Sequence, residues 1–234
     1  MNILIAGASR GIGAAAYALL KKTGHHVVGH STKGNDQLIA GDLTAPAAPR
    51  DIWDTALDEL GGTIDVLVNN AGIYEGVPDN ASDEEWHAAW QRTMTINLQA
   101  AADLSRLAVS HFLDRGGEGR IVNVASRAAF RGDSPQHWHY AASKGAIVSM
   151  TKTIARGYAG DGILCFAVAP GFTVSEMTAE YLQGRGGAQI IADIPLGRVA
   201  STDEVAEVIR WLSIDAPASA TGSIIDVNGA SYVR

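Results

Sequence analysis

The sequence predicts an α/β fold, a single domain built on a doubly wound, mostly parallel seven-stranded sheet. Three observations carry that prediction. Short apolar runs alternate with segments of helical periodicity along the chain, as in sheets whose strands are buried on both faces. The first run ends in a glycine turn that opens an amphipathic helix. The 234 residues, 47% of them hydrophobic, suffice for one large core, and no repeat, low-complexity tract or linker divides them.

Composition narrows the partners. Charged residues make up 18% and the net charge is −7, which speaks against disorder, nucleic acid and anionic membranes. The lone Cys165 excludes an internal disulfide and reads as a buried small hydrophobe in a reducing compartment. No apolar run approaches the roughly 20 residues of a spanning helix. Met1-Asn2 leads straight into the first strand with no signal peptide ahead of it, so the expected location is cytoplasmic.

The first strand is Asn2 to Ala6, followed by Gly7-Ala8-Ser9-Arg10-Gly11-Ile12-Gly13. Ile12, Ala15, Ala16, Leu19 and Leu20 then recur at helical spacing until Thr23-Gly24. A glycine turn between strand and helix lets the backbone approach a pyrophosphate, and the helix start offers free N–H groups. The bland alternative is a tight strand–helix connection. His26 to Ser31 is the second strand, where an acidic residue would bind the ribose hydroxyl of NAD. Here the chain reads His30-Ser31-Thr32-Lys33, with no acid before Asp36. Hydroxyls with Arg10 and Lys33 suit a 2′-phosphate, favouring NADP(H) and leaving NAD(H) possible.

Leu38-Ile39-Ala40 is a third strand, closed by Asp42-Leu43. Too few residues separate it from Ser31 for a crossover helix, so the helix after strand two is shortened or absent. A helix follows from Pro49 to Leu60, and a fourth strand from Ile64 to Val68 runs into Asn69-Asn70-Ala71-Gly72. Ser82-Asp83-Glu84-Glu85 is a capping box. The helical stretch it opens carries the stripe Trp86, Trp90, Met94, Leu98 and Ala101, with both tryptophans expected in the core. Asn97 beside that stripe reads, unaided, as a satisfied buried amide.

The fifth strand, Arg120 to Ala125, delivers Ser126. After a polar loop, Tyr140-Ala141-Ala142-Ser143-Lys144 places a phenol and an ammonium four apart on one helix face. A nearby ammonium lowers a tyrosine pKa towards the working range, so the pair could move a proton to a carbonyl or from an alcohol. On spacing alone a surface Tyr–Lys contact is the simpler account. His137 and His139 lack an evident third metal ligand, so no metal site is expected; they line the substrate mouth or cap the helix. The sixth strand, Ile163 to Val168, ends in Ala169-Pro170-Gly171-Phe172-Thr173. The glycine-bearing segment from Val174 to Ala192 is where a lid over substrate is expected. A helix capped by Ser201 or Thr202 runs to Leu212, and Ile224 to Val227 is the seventh strand.

Read in order, the glycine turn, Asp42, Asn69-Asn70-Ala71-Gly72, Asn97, Ser126, Tyr140 to Lys144 and Pro170-Gly171 form a series that resembles the short-chain dehydrogenase/reductase family. The likeness covers essentially the whole chain. Pro195-Leu196-Gly197-Arg198 and Thr221 to Gly229 add to it, and the bacterial β-ketoacyl-acyl-carrier-protein reductases look most similar. The resemblance implies a Rossmann-type sheet, a homotetramer, and an oxidoreductase acting on a small carbonyl or alcohol, with a 3-oxoacyl thioester among the candidates. It implies Tyr140 as general acid/base, Lys144 lowering its pKa and binding the nicotinamide ribose, Ser126 positioning the carbonyl oxygen, and Asn97 holding a relay water. It places Gly7, Ser9, Arg10, Gly11, Ile12 and Gly13 round the pyrophosphate and adenosine ribose, with Thr32 near that ribose. Asp42 and Leu43 fall by the adenine, and Asn70, Ala71 and Gly72 along the cleft. Pro170, Gly171, Thr173 and Ser175 fall at the nicotinamide end.

The chain departs from the family pattern in three places. Ala6 replaces the usual threonine, the Ser126–Tyr140 loop is one residue longer than usual, and the second crossover helix is missing. The alternatives weighed are an NAD-dependent alcohol dehydrogenase of the same family and a non-catalytic dinucleotide-binding or redox-sensing protein.

Overall fold

The structure, a computed structural model, describes residues 1–173 and 187–234. Seven strands form one sheet in the order β3-β2-β1-β4-β5-β6-β7. They are β1 (Asn2–Ala6), β2 (His26–Ser31), β3 (Leu38–Ala40), β4 (Val66–Asn69), β5 (Gly119–Val124), β6 (Ile163–Pro170) and β7 (Ile224–Val227). Every pairing is parallel. Strand order reverses between β1 and β4, which opens a crevice at their carboxyl ends.

Alternation along the strands divides the core. Ile3, Ile5, Val66, Val68, Val122, Val124, Phe166 and Val168 pack beneath α1 (Gly11–Lys22) and a late helix over Thr202–Ile214. Leu4, Leu67, Ile121 and Cys165 face the other way, against α2 (Ala48–Glu59), α4 (Ala100–Asp114) and α6 (Trp138–Tyr158). Among the described residues the remaining α-helices are α3 (Asp83–Met94), the single turn α5 (Ala128–Arg131) and α7 (Gly187–Ala192), which makes the Thr202–Ile214 helix α8. Polar side chains also cross this core. Asn69 Nδ2 donates to Ser105 Oγ (3.0 Å) and Asn123 Oδ1 (2.8 Å), and Asn123 Nδ2 donates to Thr151 Oγ1 (2.9 Å). The chain of bonds ties β4 and β5 to α4 and α6.

No helix lies between β2 and β3: residues 32–37 form a turn in which Gly34 N–H bonds Ser31 Oγ and Asn35 bridges Leu38. β4 begins at Val66, two residues later than the apolar run, because the buried Ile64 lends its backbone N–H to His111 Nε2 and its carbonyl to Arg115. The stretch opened by the Ser82 capping box is not one helix. A π-helical turn over Thr95–Gln99 separates α3 from α4. The tryptophans do not enter the core as expected. Trp86 and Trp90 are half-buried, and Trp86 packs edge-on against Trp138, itself 54% exposed, at 5.4 Å. The tryptophans pack on one another and on Trp138 and His139 at the start of α6, and the buried positions of the stretch begin with Thr93 and Asn97.

Ser201 caps α8, accepting from Glu204 N–H at 3.2 Å while Glu204 reaches back to Ser201 N–H at 2.8 Å. Ser201→Ala should cost about 1 kcal/mol. Thermal unfolding should show a midpoint lowered by about 2–4 °C, with activity retained.

Candidate active site

The crevice is a cavity of about 870 Å³ running from Thr32 and Asp42 at one end to Phe172 and Asp193 at the other. At its β1 wall, Gly7 has φ +83° and Gly11 has φ +56°, a left-handed backbone that glycine adopts freely. A Cβ on Gly7 would strike the Ala71 backbone. Asn70 Nδ2 donates to Gly7 O at 2.6 Å, and a Cβ on Gly13 would intrude between those two groups. Gly13 is therefore the spacer behind the turn, whereas Gly7, Ser9, Arg10, Gly11 and Ile12 line the cavity. No side chain caps the N-terminus of α1, so its first N–H groups face an incoming anion. A close-approach glycine cradle at a helix start fits a dinucleotide pyrophosphate.

His30 also belongs to this wall. It is buried, its Nδ1 accepts from Gly7 N–H (3.3 Å) and its Nε2 lies 2.8 Å from Gly41 O. The accepting Nδ1 puts the proton on Nε2, which donates to Gly41. Burial lowers the pKa of His30 and keeps the ring neutral. The sequence reading gave His30 no role, although a histidine within the run His26 to Ser31 was the available signal. Thr32, Asp42, Leu43, Asn70, Ala71 and Gly72 line the cavity as expected. Lys33 does not; it is exposed and absent from the lining, because the β2–β3 turn carries it outward. At the other end Pro170, Gly171 and Thr173 line it; of the lid expected over Val174 to Ala192, residues 174–186, Ser175 among them, lie outside the described residues, and Gln189 and Ile190 line the cavity.

Ser126, Tyr140 and Lys144 line the middle. The turn α5 and Gly132 (φ +78°) take up the long loop, and the Ser126 and Tyr140 hydroxyls are hydrogen-bonded. Lys144 Nζ donates to Val124 O at 2.8 Å and lies 5.8 Å from the Tyr140 ring centroid. Asn97 sits in the π turn, a local widening often found at functional sites. Its Oδ1 accepts from Ile73 N–H (2.8 Å), and its Nδ2 donates to Ile73 O (3.0 Å) and Ser143 Oγ (3.3 Å). A Cβ built on Gly72 would sit 3.3 Å from Asn97 Oδ1 and 3.5 Å from Lys144 Nζ, so both groups border the same small space.

The electrostatics differ from the sequence expectation. Burial pushes Tyr140 up to about 12, against the opposing bond from Ser126, and pulls Lys144 down to about 8. Desolvation outweighs the pairing because the ammonium is turned onto Val124 O. Neither His137 nor His139 lines the cavity; His137 is buried, stacked on Tyr74 at 3.9 Å, and Tyr74 meets the Tyr140 ring edge-on at 4.8 Å. His139 is buried against Trp90. Among the described residues no group of three potential ligands could hold a metal.

A doubly wound parallel sheet with a glycine cradle and a Ser–Tyr–Lys cluster at its switch point defines a dinucleotide-dependent class of α/β protein. Comparison with known proteins narrows the class. Residues 1–186 match the family model described as short chain dehydrogenase. The 3-oxoacyl-[acyl-carrier-protein] reductases of Vibrio cholerae and Thermotoga maritima are 34% and 35% identical to this chain, with 98% of it covered and 96% and 97% of theirs. Protein FixR of Bradyrhizobium diazoefficiens is 33% identical, covering 99% of this chain and 86% of its own. Among solved structures, a short chain dehydrogenase from Burkholderia cenocepacia in complex with NADP superposes with a TM-score of 0.88 at 27% identity, covering 98% of this chain and 97% of its own. A 3-ketoacyl-(acyl-carrier-protein) reductase from Brucella melitensis complexed with NADH gives 0.86 at 27% identity, covering 99% and 98%. The chain belongs to the short-chain dehydrogenase family, oxidoreductases that interconvert CH–OH and C=O.

The buried ammonium has a thermodynamic signature. With its folded pKa near 8, below the ordinary 10.5, Lys144 gives up its proton in the folded protein before the unfolded chain does. The unfolded state then binds more protons between those values, so stability rises with pH through that window. Cofactor-free Lys144→Met should be more stable than the unsubstituted protein at pH 7, by on the order of 3 kcal/mol less the lost bond to Val124. Denaturant titrations from pH 7 to pH 10 should show that gap closing.

Proposed function

We propose that the protein is an NADP(H)-dependent reductase or dehydrogenase in which Tyr140 is the general acid/base. The observation that carries this is the shared placement of Ser126, Tyr140 and Lys144 on the cavity wall, with the two hydroxyls in contact. When bound, the nicotinamide cofactor supplies or accepts the hydride. Ser126 holds the carbonyl oxygen. Tyr140, whose raised pKa keeps it protonated at neutral pH, gives its proton to that oxygen as negative charge develops on it. Lys144 would hold the nicotinamide ribose, and the space at Gly72 bordered by Asn97 Oδ1 and Lys144 Nζ would admit a water to return the proton.

The NADP preference rests on Arg10, Ser31 and Thr32 at the adenosine end and on the lack of an acid at the close of β2. Asp42 is occupied by its own turn, accepting from Thr44 N–H and Oγ1. The names of the similar reductases add a 3-oxoacyl thioester to the carbonyl panel. The resemblance also supports a cytoplasmic homotetramer; no described helix is long and apolar enough to cross a membrane.

Fluorescence titration of the purified protein with NADPH and with NADH should show tighter NADPH binding, with Arg10→Ala erasing the difference. Equal or tighter NADH binding would reverse the cofactor assignment and leave the Tyr140 chemistry untouched. Tyr140→Phe should lower kcat by about 10²–10⁴-fold or more with cofactor affinity retained. Full activity in that variant would end the mechanism.

A further inference from the structure

We propose that Arg127 binds a carboxylate of the substrate, so that this site takes small oxo acids in preference to neutral ketones. The proposal rests on the oxidoreductase reading above and names its substrate class. Arg127 follows Ser126 directly, and both line the cavity. Its side chain is only 11% exposed. Nη1 is buried without any hydrogen-bond partner. A buried guanidinium nitrogen that makes no hydrogen bond is a costly arrangement unless an anion completes it.

The group is held in place for such a partner. The Arg127 backbone N–H bonds Pro170 O at 2.9 Å, and its guanidinium lies over the Phe172 ring, 4.9 Å from the centroid. The nearest acid, Asp193, is 3.8 Å from Nη1, outside hydrogen-bond range, and is already bonded by Arg131 at 2.6 Å. Asp133, the other acid on this part of the wall, accepts from Tyr74 Oη at 3.0 Å and from Ser134 N–H at 2.7 Å. Neither carboxylate hydrogen-bonds to Arg127.

Position separates this anion from the cofactor's phosphates. Those would be held at the Gly11 helix start and by Thr32, whereas Arg127 is the chain neighbour of Ser126 and lines the cavity with it. One small molecule in that cavity can therefore offer a carbonyl to Ser126 and an anion to Arg127. The planar guanidinium fork matches a carboxylate's two oxygens.

The test uses 2-oxobutanoate, 3-oxobutanoate and 4-oxopentanoate with their methyl esters, on the unsubstituted protein, Arg127→Met and Arg127→Lys. NADPH oxidation gives kcat/KM, and thermal shift with NADP⁺ present gives binding without turnover. At least one acid should exceed its ester by about 10–100-fold in kcat/KM, the effect of one charge-assisted pair. Arg127→Met should bring that ratio near one, and Arg127→Lys should keep part of it. The same acid should raise the unfolding midpoint of the unsubstituted protein but not of Arg127→Met. Acid and ester used equally, or an acid preference that survives in Arg127→Met, overturns the assignment. Turnover of esters alone overturns it while the oxidoreductase reading stands. An Arg127-dependent thermal shift without turnover of any compound upholds the anion site and places the reacting carbonyl at a spacing from the carboxylate other than these three. With neither turnover nor an Arg127-dependent shift, the assignment falls.

Discussion

The structure depends on one close contact, where the glycine turn after β1 meets the end of β4. Only hydrogen atoms fit where Gly7 faces Ala71 and where Gly13 backs onto Gly7 O, and the Asn70 amide closes the contact at 2.6 Å. Any side chain there would push the first helix off the sheet. Because the turn is pinned, the N-terminus of α1 points into the crevice rather than over it, and His30 can reach from Gly7 to Gly41 behind it. The pocket is thus a product of backbone packing, in which Gly7, Asn70 and Ala71 both make the contact and line the cavity while Gly13 stands behind it.

The opposite wall follows a different logic. Lys144 and Asn97 are almost fully buried and polar, and each is held by main-chain partners, Val124 O for one and both backbone groups of Ile73 for the other. A side chain fixed to the backbone cannot swing away when the cavity fills. The π turn serves the same end, since the widened coil lets Asn97 face Ile73 and Ser143 while α4 continues into the core. Dry surroundings raise Tyr140 and lower Lys144 together, so the proton stays on the phenol until charge develops beside it.

Much of this was legible in the sequence because it is local. A strand, a glycine turn and a helix start are neighbours in the chain, and Tyr140 and Lys144 are one helical turn apart. The missing crossover helix was a matter of counting residues between Ser31 and Leu38. What stayed hidden depends on depth and on distant partners. Helical spacing gave the stripe through Trp86 and Trp90 but not how deeply each end of it is buried. Burial decided the sign of the Tyr140 shift, and no pattern of residues states how far water is excluded. His30 and Asn123 acquire meaning only when Gly41 and Thr151 are brought to them. Lys33 was counted with the phosphate-binding groups by adjacency, and the turn that replaces the helix faces it outward.

That shortened connection has a consequence for the molecule as a neighbour of other molecules. Without a helix beside it, β3 is an open sheet margin whose unpaired N–H and C=O groups could template another chain. The strand is only three residues long, and its preceding turn folds back so that Asn35 pairs with Leu38. At the far margin β7 has four residues, and Arg234 turns its guanidinium onto Ile224 O. Brevity and self-pairing leave little straight backbone at either side for β-stacking, so the sheet gives up a covering helix without becoming a nucleus for aggregation.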